Sequence, residues 1–189
     1  MIRKTIKKIL PIKKYVEVSG SIIPSRYSRC CGSEFKDDNY YLESAEKESN
    51  RLIDYFQCTQ QTRILDVGCG QGRLPIGILR VIGDINYIGI DVDRKSINWC
   101  KQYIESKHPS FKFKHLNFYN ERYNKNGIKI DTGFCFDVVE NSVDIIYLFS
   151  VFSHTTEEDM RTYLKDFSRI LDKGGKIFFT TFVEEDVPN

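Results

Sequence analysis

The chain of 189 residues has no apolar run near the ~20 residues that cross a bilayer as a helix. Its longest, around Ile145 to Phe152, has the size of a strand. No secretory leader is expected, because Pro11 interrupts the only apolar residues, Ile9, Leu10 and Ile12, that follow the basic start. An excess of one charge is also missing. Lys and Arg number 28 against 26 Asp and Glu, and a net charge of +2 does not call for a specific nucleic-acid partner. Among six cysteines no Cys-x-x-Cys spacing occurs, and Cys30-Cys31 is a vicinal pair, so no metal site is expected. Cys58, Cys69, Cys100 and Cys135 fall in or beside apolar or glycine-rich segments, which points to reduced thiols and a cytoplasmic setting.

What is present divides unevenly. The first fourteen residues hold Arg3, Lys4, Lys7, Lys8, Lys13 and Lys14 and no acid. Ile2, Ile6, Ile9 and Leu10 share a helical face there, giving two readings: a weak contact with an anionic membrane surface, or a solvated or docked arm. A loop through Gly20, Pro24 and Gly32 follows, whose Arg26, Tyr27, Arg29 and Phe35 serve either as a lid or as packing. Residues 1–40 are therefore read as a basic arm with a lid-like loop, and 41–189 as one core domain.

That core centres on Ile64-Leu65-Asp66-Val67-Gly68-Cys69-Gly70-Gln71-Gly72-Arg73-Leu74. A short apolar run, three alternate glycines and a helical apolar pattern through Leu74, Ile76, Ile78 and Leu79 spell strand, tight turn and helix. Such a turn lets backbone approach a ligand closely. Asp66 would repel a pyrophosphate but suits a ligand carrying a sulfonium and an amino group.

Around this turn, helical spacing from Tyr41 to Phe56 precedes the strand. Pro75 fits the first turn of the next helix, and Gly77 is expected to let that helix pack closely on the sheet. Tyr87 to Ile90 forms a second strand ending at Asp91-Val92-Asp93, and Ile97, Cys100 and Ile104 mark a helix. Phe111 to His115 alternates as a strand with one wet face, followed by an Asn-rich loop from Asn120 to Gly127. Val143 to Phe149 is apolar on both faces, as a central parallel strand must be. Thr155 with Glu158, or Thr156 with Asp159, opens a helix that Gly174-Gly175 should end, and Lys176 to Phe182 is the last strand. The fold class expected is α/β, a doubly wound and mainly parallel sheet.

Three glycine-loop chemistries compete for the turn. A P-loop requires Gly-Lys-Ser/Thr, and Gly72 is followed by Arg73-Leu74. A dinucleotide fingerprint counted from Gly68 places Arg73 where a third small residue belongs. The observed pattern, acid-x-Gly-x-Gly-x-Gly, resembles motif I of the class I S-adenosylmethionine-dependent methyltransferases. The resemblance runs from about Gln60 to Val183 through Gly89-Ile90-Asp91, His115-Leu116-Asn117-Phe118, Val143 to Val151, and Arg169 to Gly175. A narrower set of bacterial members shares the pattern of Trp99-Cys100, the Tyr-Asn-rich loop and Ser150-Val151-Phe152-Ser153-His154.

The resemblance implies a methyltransferase that takes S-adenosylmethionine and leaves S-adenosylhomocysteine; it carries over no assigned substrate, and the acceptor expected is an unidentified small molecule. A non-catalytic module binding S-adenosylmethionine is the alternative, and an NAD-dependent oxidoreductase a more distant one. It implies a cofactor site of Asp66, Gly68, Cys69, Gly70, Gly72, Asp91, Val92, Asn117, Phe118 and Phe149. Asp91 would hold the ribose hydroxyls, at the ~20-residue distance from the glycines that such an acid keeps. Asp66 would meet the amino end, amides from Gly68 to Gly72 the carboxylate and sugar, and Asn117 the adenine where the family usually has an acid. His154, after the central strand, is the candidate general base. His108 and His115 read as helix-end and strand residues, and Asp93 as a helix cap. The Asn/Asp-Pro-Pro-aromatic signature that the resemblance associates with methylation of planar amino groups is missing, with Ser150 to His154 in its place, which argues against an adenine or glutamine methylase. The family usually adds a further antiparallel hairpin after the fifth strand, so a fragment of a longer protein is expected.

Overall fold

The computed structural model describes residues 13–29, 32–131 and 133–182. The amphipathic segment of residues 2–10, the Cys30-Cys31 pair and Val183 lie outside them. The chain enters as an antiparallel hairpin of β1 (Tyr15–Val18) and β2 (Ser21–Pro24), where a loop was expected. Ser19 and Gly20 turn it with positive φ at both positions, the geometry that matches strand twist in a two-residue turn. Trp99 ties the hairpin down, its indole N–H donating to the Lys14 carbonyl at 2.9 Å.

α1 (Asp38–Phe56) begins where the Asp37 carboxylate accepts from the Tyr40 amide. Its buried stripe of Tyr41, Leu42, Ala45, Glu48, Ser49 and Leu52 follows the helical period. Five parallel strands succeed it: β3 (Arg63–Val67), β4 (Asn86–Asp91), β5 (Phe111–His115), β6 (Val143–Leu148) and β7 (Leu171–Phe179). They lie in the order β5-β4-β3-β6-β7, so the chain winds outward one way from β3 and then the other. α2 (Arg73–Val81) and α3 (Arg94–Cys100), which runs on as a π-helical turn Lys101–Glu105, connect the first three strands of this sheet. α4 (Glu157–Ile170) connects β6 to β7 and starts on the Thr156–Asp159 capping box.

Successive strand residues face opposite layers. Ile64, Tyr87, Ile145 and Tyr147 join α1, α2 and α3 in one core, while Leu65, Ile146 and Leu148 join α4 in the other. The second core also takes Phe136 and Val138 from the long connection before β6. Two expectations change here. Gly77 packs on α1 and not on the sheet, since a Cβ there would lie 2.0 Å from the Ala45 carbonyl oxygen. α4 ends at Ile170, before Gly174-Gly175, because Leu171 is already extended and pairs with Val143. Regular pairing resumes only from Lys176. No helix among the described residues is long and apolar enough to cross a membrane.

Candidate active site

The winding reverses at β3, and the carboxyl ends of β3, β4 and β6 open onto a cleft of about 560 Å³. Open α/β sheets place ligands at such a point. Asp66, Gly68, Cys69, Gly70, Asp91, Val92, Phe118, Phe149 and His154 all line it. Gly72 and Asn117 do not.

Gly72, at φ 78°, is the residue before α2 and packs the other way, towards Cys100 and Ile104. Asn117 is exposed, and its amide oxygen accepts from Asn124 at 3.2 Å within the loop after β5. That loop is a closed flap, bridged Phe118 to Ile128 and Asn120 to Asn124. The Asn120 side chain accepts from the Arg122 and Tyr123 amides and reaches the His154 carbonyl at 3.4 Å.

The glycine turn is more self-contained than expected. Gly68 and Cys69 amides both donate to the Ile90 carbonyl, Gly72 to Cys69, and Gly70 to the Asp91 carboxylate at 2.7 Å. None of these four amides is left to cradle an anion. The other Asp91 oxygen accepts the Asp93 amide at 2.7 Å, which sets the carboxylate at the cleft floor. Asp93 itself caps α3 through the Lys95 and Ser96 amides. Burial raises the Asp91 pKa above the ordinary carboxylate value, against the pull of its two amide donors.

Asp66 is 3% exposed and accepts a hydrogen bond from the Tyr87 hydroxyl. Burial pushes its pKa up to about 7, despite that bond. Burial also holds the Cys69 and Cys100 thiols well above their usual range, so both are poor nucleophiles. His154 lies exposed on a short 3₁₀ turn, Phe152–His154, its ring edge-on to Tyr123. His115 belongs to β5 and bonds the Val92 carbonyl, and His108 pairs with Asp84.

One wall of the cleft was not foreseen. Glu48, buried on α1, accepts from Arg51 at 2.7 Å and from the Tyr147 hydroxyl on β6, with Arg73 at 3.6 Å. Arg29, considered for a lid, instead packs over Tyr41 and bonds the Pro24 and Phe35 carbonyls and Asp38. Glu48 on the buried face of α1 is the one signal that reading the helix period more closely would have found.

Residues 64–175 match the family model for a methyltransferase domain. The 235L protein of Invertebrate iridescent virus 6, whose assignment as a methyltransferase is itself provisional, is 28% identical over 93 residues. That match covers 49% of this chain and 34% of the viral protein, so this chain spans about a third of that relative. Among solved structures, the PH0226 protein from Pyrococcus horikoshii OT3 superposes with TM-score 0.57 at 17% identity, covering 82% of this chain and 65% of that one. Coclaurine N-methyltransferase, solved with N-methylheliamine and S-adenosylhomocysteine, gives TM-score 0.55 at 15% identity over 83% of this chain and 41% of that one. At such identities the two structures establish the shared fold.

Proposed function

The chain belongs to the class I S-adenosylmethionine-dependent methyltransferase family, and we propose that it methylates a small-molecule acceptor in the cleft above β3, β4 and β6. The observation that carries this is the Asp91 carboxylate, locked at the cleft floor by the Gly70 and Asp93 amides. An anionic acceptor of hydrogen bonds suits paired ribose hydroxyls. The fit of S-adenosylmethionine is supported at two further points. Gly70 at φ 52° has no atom within 4 Å of where a Cβ would stand, so the backbone is bare towards a ligand. With four of the turn's amides engaged internally, a pyrophosphate would meet the carboxyl groups of Asp66 and Asp91 there, which disfavours the dinucleotide reading.

When bound, S-adenosylmethionine supplies a methyl group on a sulfonium, already a good leaving group. The chain's share is binding, alignment and a dry site. Asp91 would accept from the ribose hydroxyls and Asp66 from the ammonium, while Val92 and Phe118 would supply apolar walls. Glu48, Tyr147 and Phe149 close the far end and exclude water. His154 stands at the mouth, where it takes the proton of an incoming hydroxyl or ammonium. Among the described residues its ring meets Tyr123 edge-on. The buried thiols Cys58, Cys69 and Cys100 accord with a reducing, cytoplasmic setting.

Co-crystallisation with S-adenosylhomocysteine tests the reading. Ribose density within hydrogen-bond reach of Asp91 is the expected result. A ligand lodged elsewhere, or a cleft that stays empty at saturating concentration, would overturn it.

A further inference from the structure

Arg73 is the first residue of α2, directly after the glycine turn, and its side chain is 17% exposed. Its guanidinium carbon lies over two rings, 5.3 Å from the Phe35 centroid and 5.1 Å from that of Phe149. Among the described residues it donates no hydrogen bond, and its ion pair is the 3.6 Å approach to Glu48 Oε1. Other part-buried arginines are engaged. Arg29 bonds two carbonyls and a carboxylate within 2.9 Å, Arg51 bonds Glu48 and Tyr147, and Arg169 bonds Asp166, Val138 and Phe136.

A guanidinium offers five N–H donors in a planar fork, and leaving them unused in a largely dry place is unfavourable. Two ring contacts confine it without taking those donors. Its nearest carboxylate is also shared. Glu48 is one carboxylate facing two guanidiniums, and Arg51 with the Tyr147 hydroxyl already occupies its other oxygen. Donors of Arg73 are therefore left free at the cleft, beside the buried Asp66, whose pKa the guanidinium pulls down.

We propose that Arg73 is the carboxylate-binding group of the cleft, held in its fork geometry by Phe35, Phe149 and Glu48. The reading rests on the methyltransferase function above and adds a side-chain carboxylate partner beside a turn whose Gly68, Cys69, Gly70 and Gly72 amides are engaged internally. The carboxylate comes either from the amino-acid tail of the cofactor or from the acceptor. Both are the same chemistry, a bidentate guanidinium–carboxylate pair.

Calorimetry on the full chain separates the two sources. S-adenosylmethionine is titrated against its decarboxylated analogue, which keeps the ammonium and lacks the carboxylate, into wild type, Arg73→Met and Arg73→Lys. If the tail is the source, wild type prefers the intact cofactor by about 10- to 100-fold, and Arg73→Met abolishes the preference by weakening that ligand alone. If the acceptor is the source, both affinities survive in Arg73→Met. Acetate then binds saturably to wild type loaded with S-adenosylhomocysteine and not to the loaded variant. Unchanged preference together with acetate binding that is absent, or equal in both proteins, overturns the proposal. Should wild type bind neither nucleoside, the methyltransferase reading fails by itself. Acetate titrated into unliganded protein still decides Arg73: dependence on its side chain supports the subsite and independence overturns it. A thermal melt accompanies each variant, and Arg73→Lys, which keeps the charge and loses the fork, stands in if Arg73→Met does not fold.

Discussion

At the β4 end of the cleft the polar partners are close in the chain, Gly70 and Asp91 being 21 residues apart and Asp91 and Asp93 two. At the α1 end they are far apart, with Arg51 and Tyr147 separated by 96 residues and Glu48 and Tyr147 by 99. The first end is a strand–turn–helix unit whose geometry the local chain dictates. The second forms only when α1, α2 and β6 have assembled, and it collects the buried charge. Ligand polarity is thus set locally at one end and by the whole fold at the other.

Independence of the two ends can be broken experimentally. Asp91→Ala removes the acceptor for two ribose hydroxyls and frees two amides, and should weaken S-adenosylhomocysteine by about 1000-fold in calorimetry. Glu48→Gln strikes the opposite end. It should cost about 2 kcal/mol in denaturant unfolding while leaving the affinity for 5′-methylthioadenosine, a nucleoside without the amino-acid tail, unchanged. Loss of nucleoside binding in that variant would mean that the ends are coupled.

Asp66 sits between them, and its pKa near 7 in the folded chain makes it the pH-sensitive element. Because the folded value is raised, its contribution to stability is fully present below about pH 4 and is lost as pH climbs through about 7. Ligand binding has the opposite sign, since an ammonium needs the ionised form. Affinity for S-adenosylhomocysteine should therefore rise by about tenfold between pH 6 and 8, and Asp66→Asn should flatten that slope. The smallest effect is expected at the mouth. His154→Ala should leave S-adenosylhomocysteine affinity within about twofold, as an exposed residue serving only the acceptor would.

The same division explains what could be read beforehand. The succession of strands and helices, the doubly wound class and the Asp66–glycine–Asp91 constellation follow from period-two and period-3.6 patterns and from turn chemistry, all local properties, whereas the last strand, read as Lys176 to Phe182, runs Leu171–Phe179. The β1–β2 hairpin was within reach too, for Ser19-Gly20 between alternating residues is a recognised turn signal. The seat of Gly77 against Ala45 was not, because which neighbour fills the missing Cβ is a tertiary fact. Phe136 and Val138 lie buried without any periodic context. Asn117 occupied the expected register, but the flap turns its amide to Asn124, and sequence position does not determine side-chain direction there. Arg73 was read only as an obstacle to dinucleotides; its unpaired donors appear once Phe35, Phe149 and Glu48 come together around it.

The most direct test of the central claim is parallel calorimetric titration of the wild-type chain with S-adenosylhomocysteine and with NAD. Saturable one-to-one binding of the first with no heat from the second is the predicted result. Binding of NAD, or of neither ligand by a chain that melts cooperatively, would contradict the assignment of the Asp66–Asp91 cleft as a nucleoside-sulfonium site.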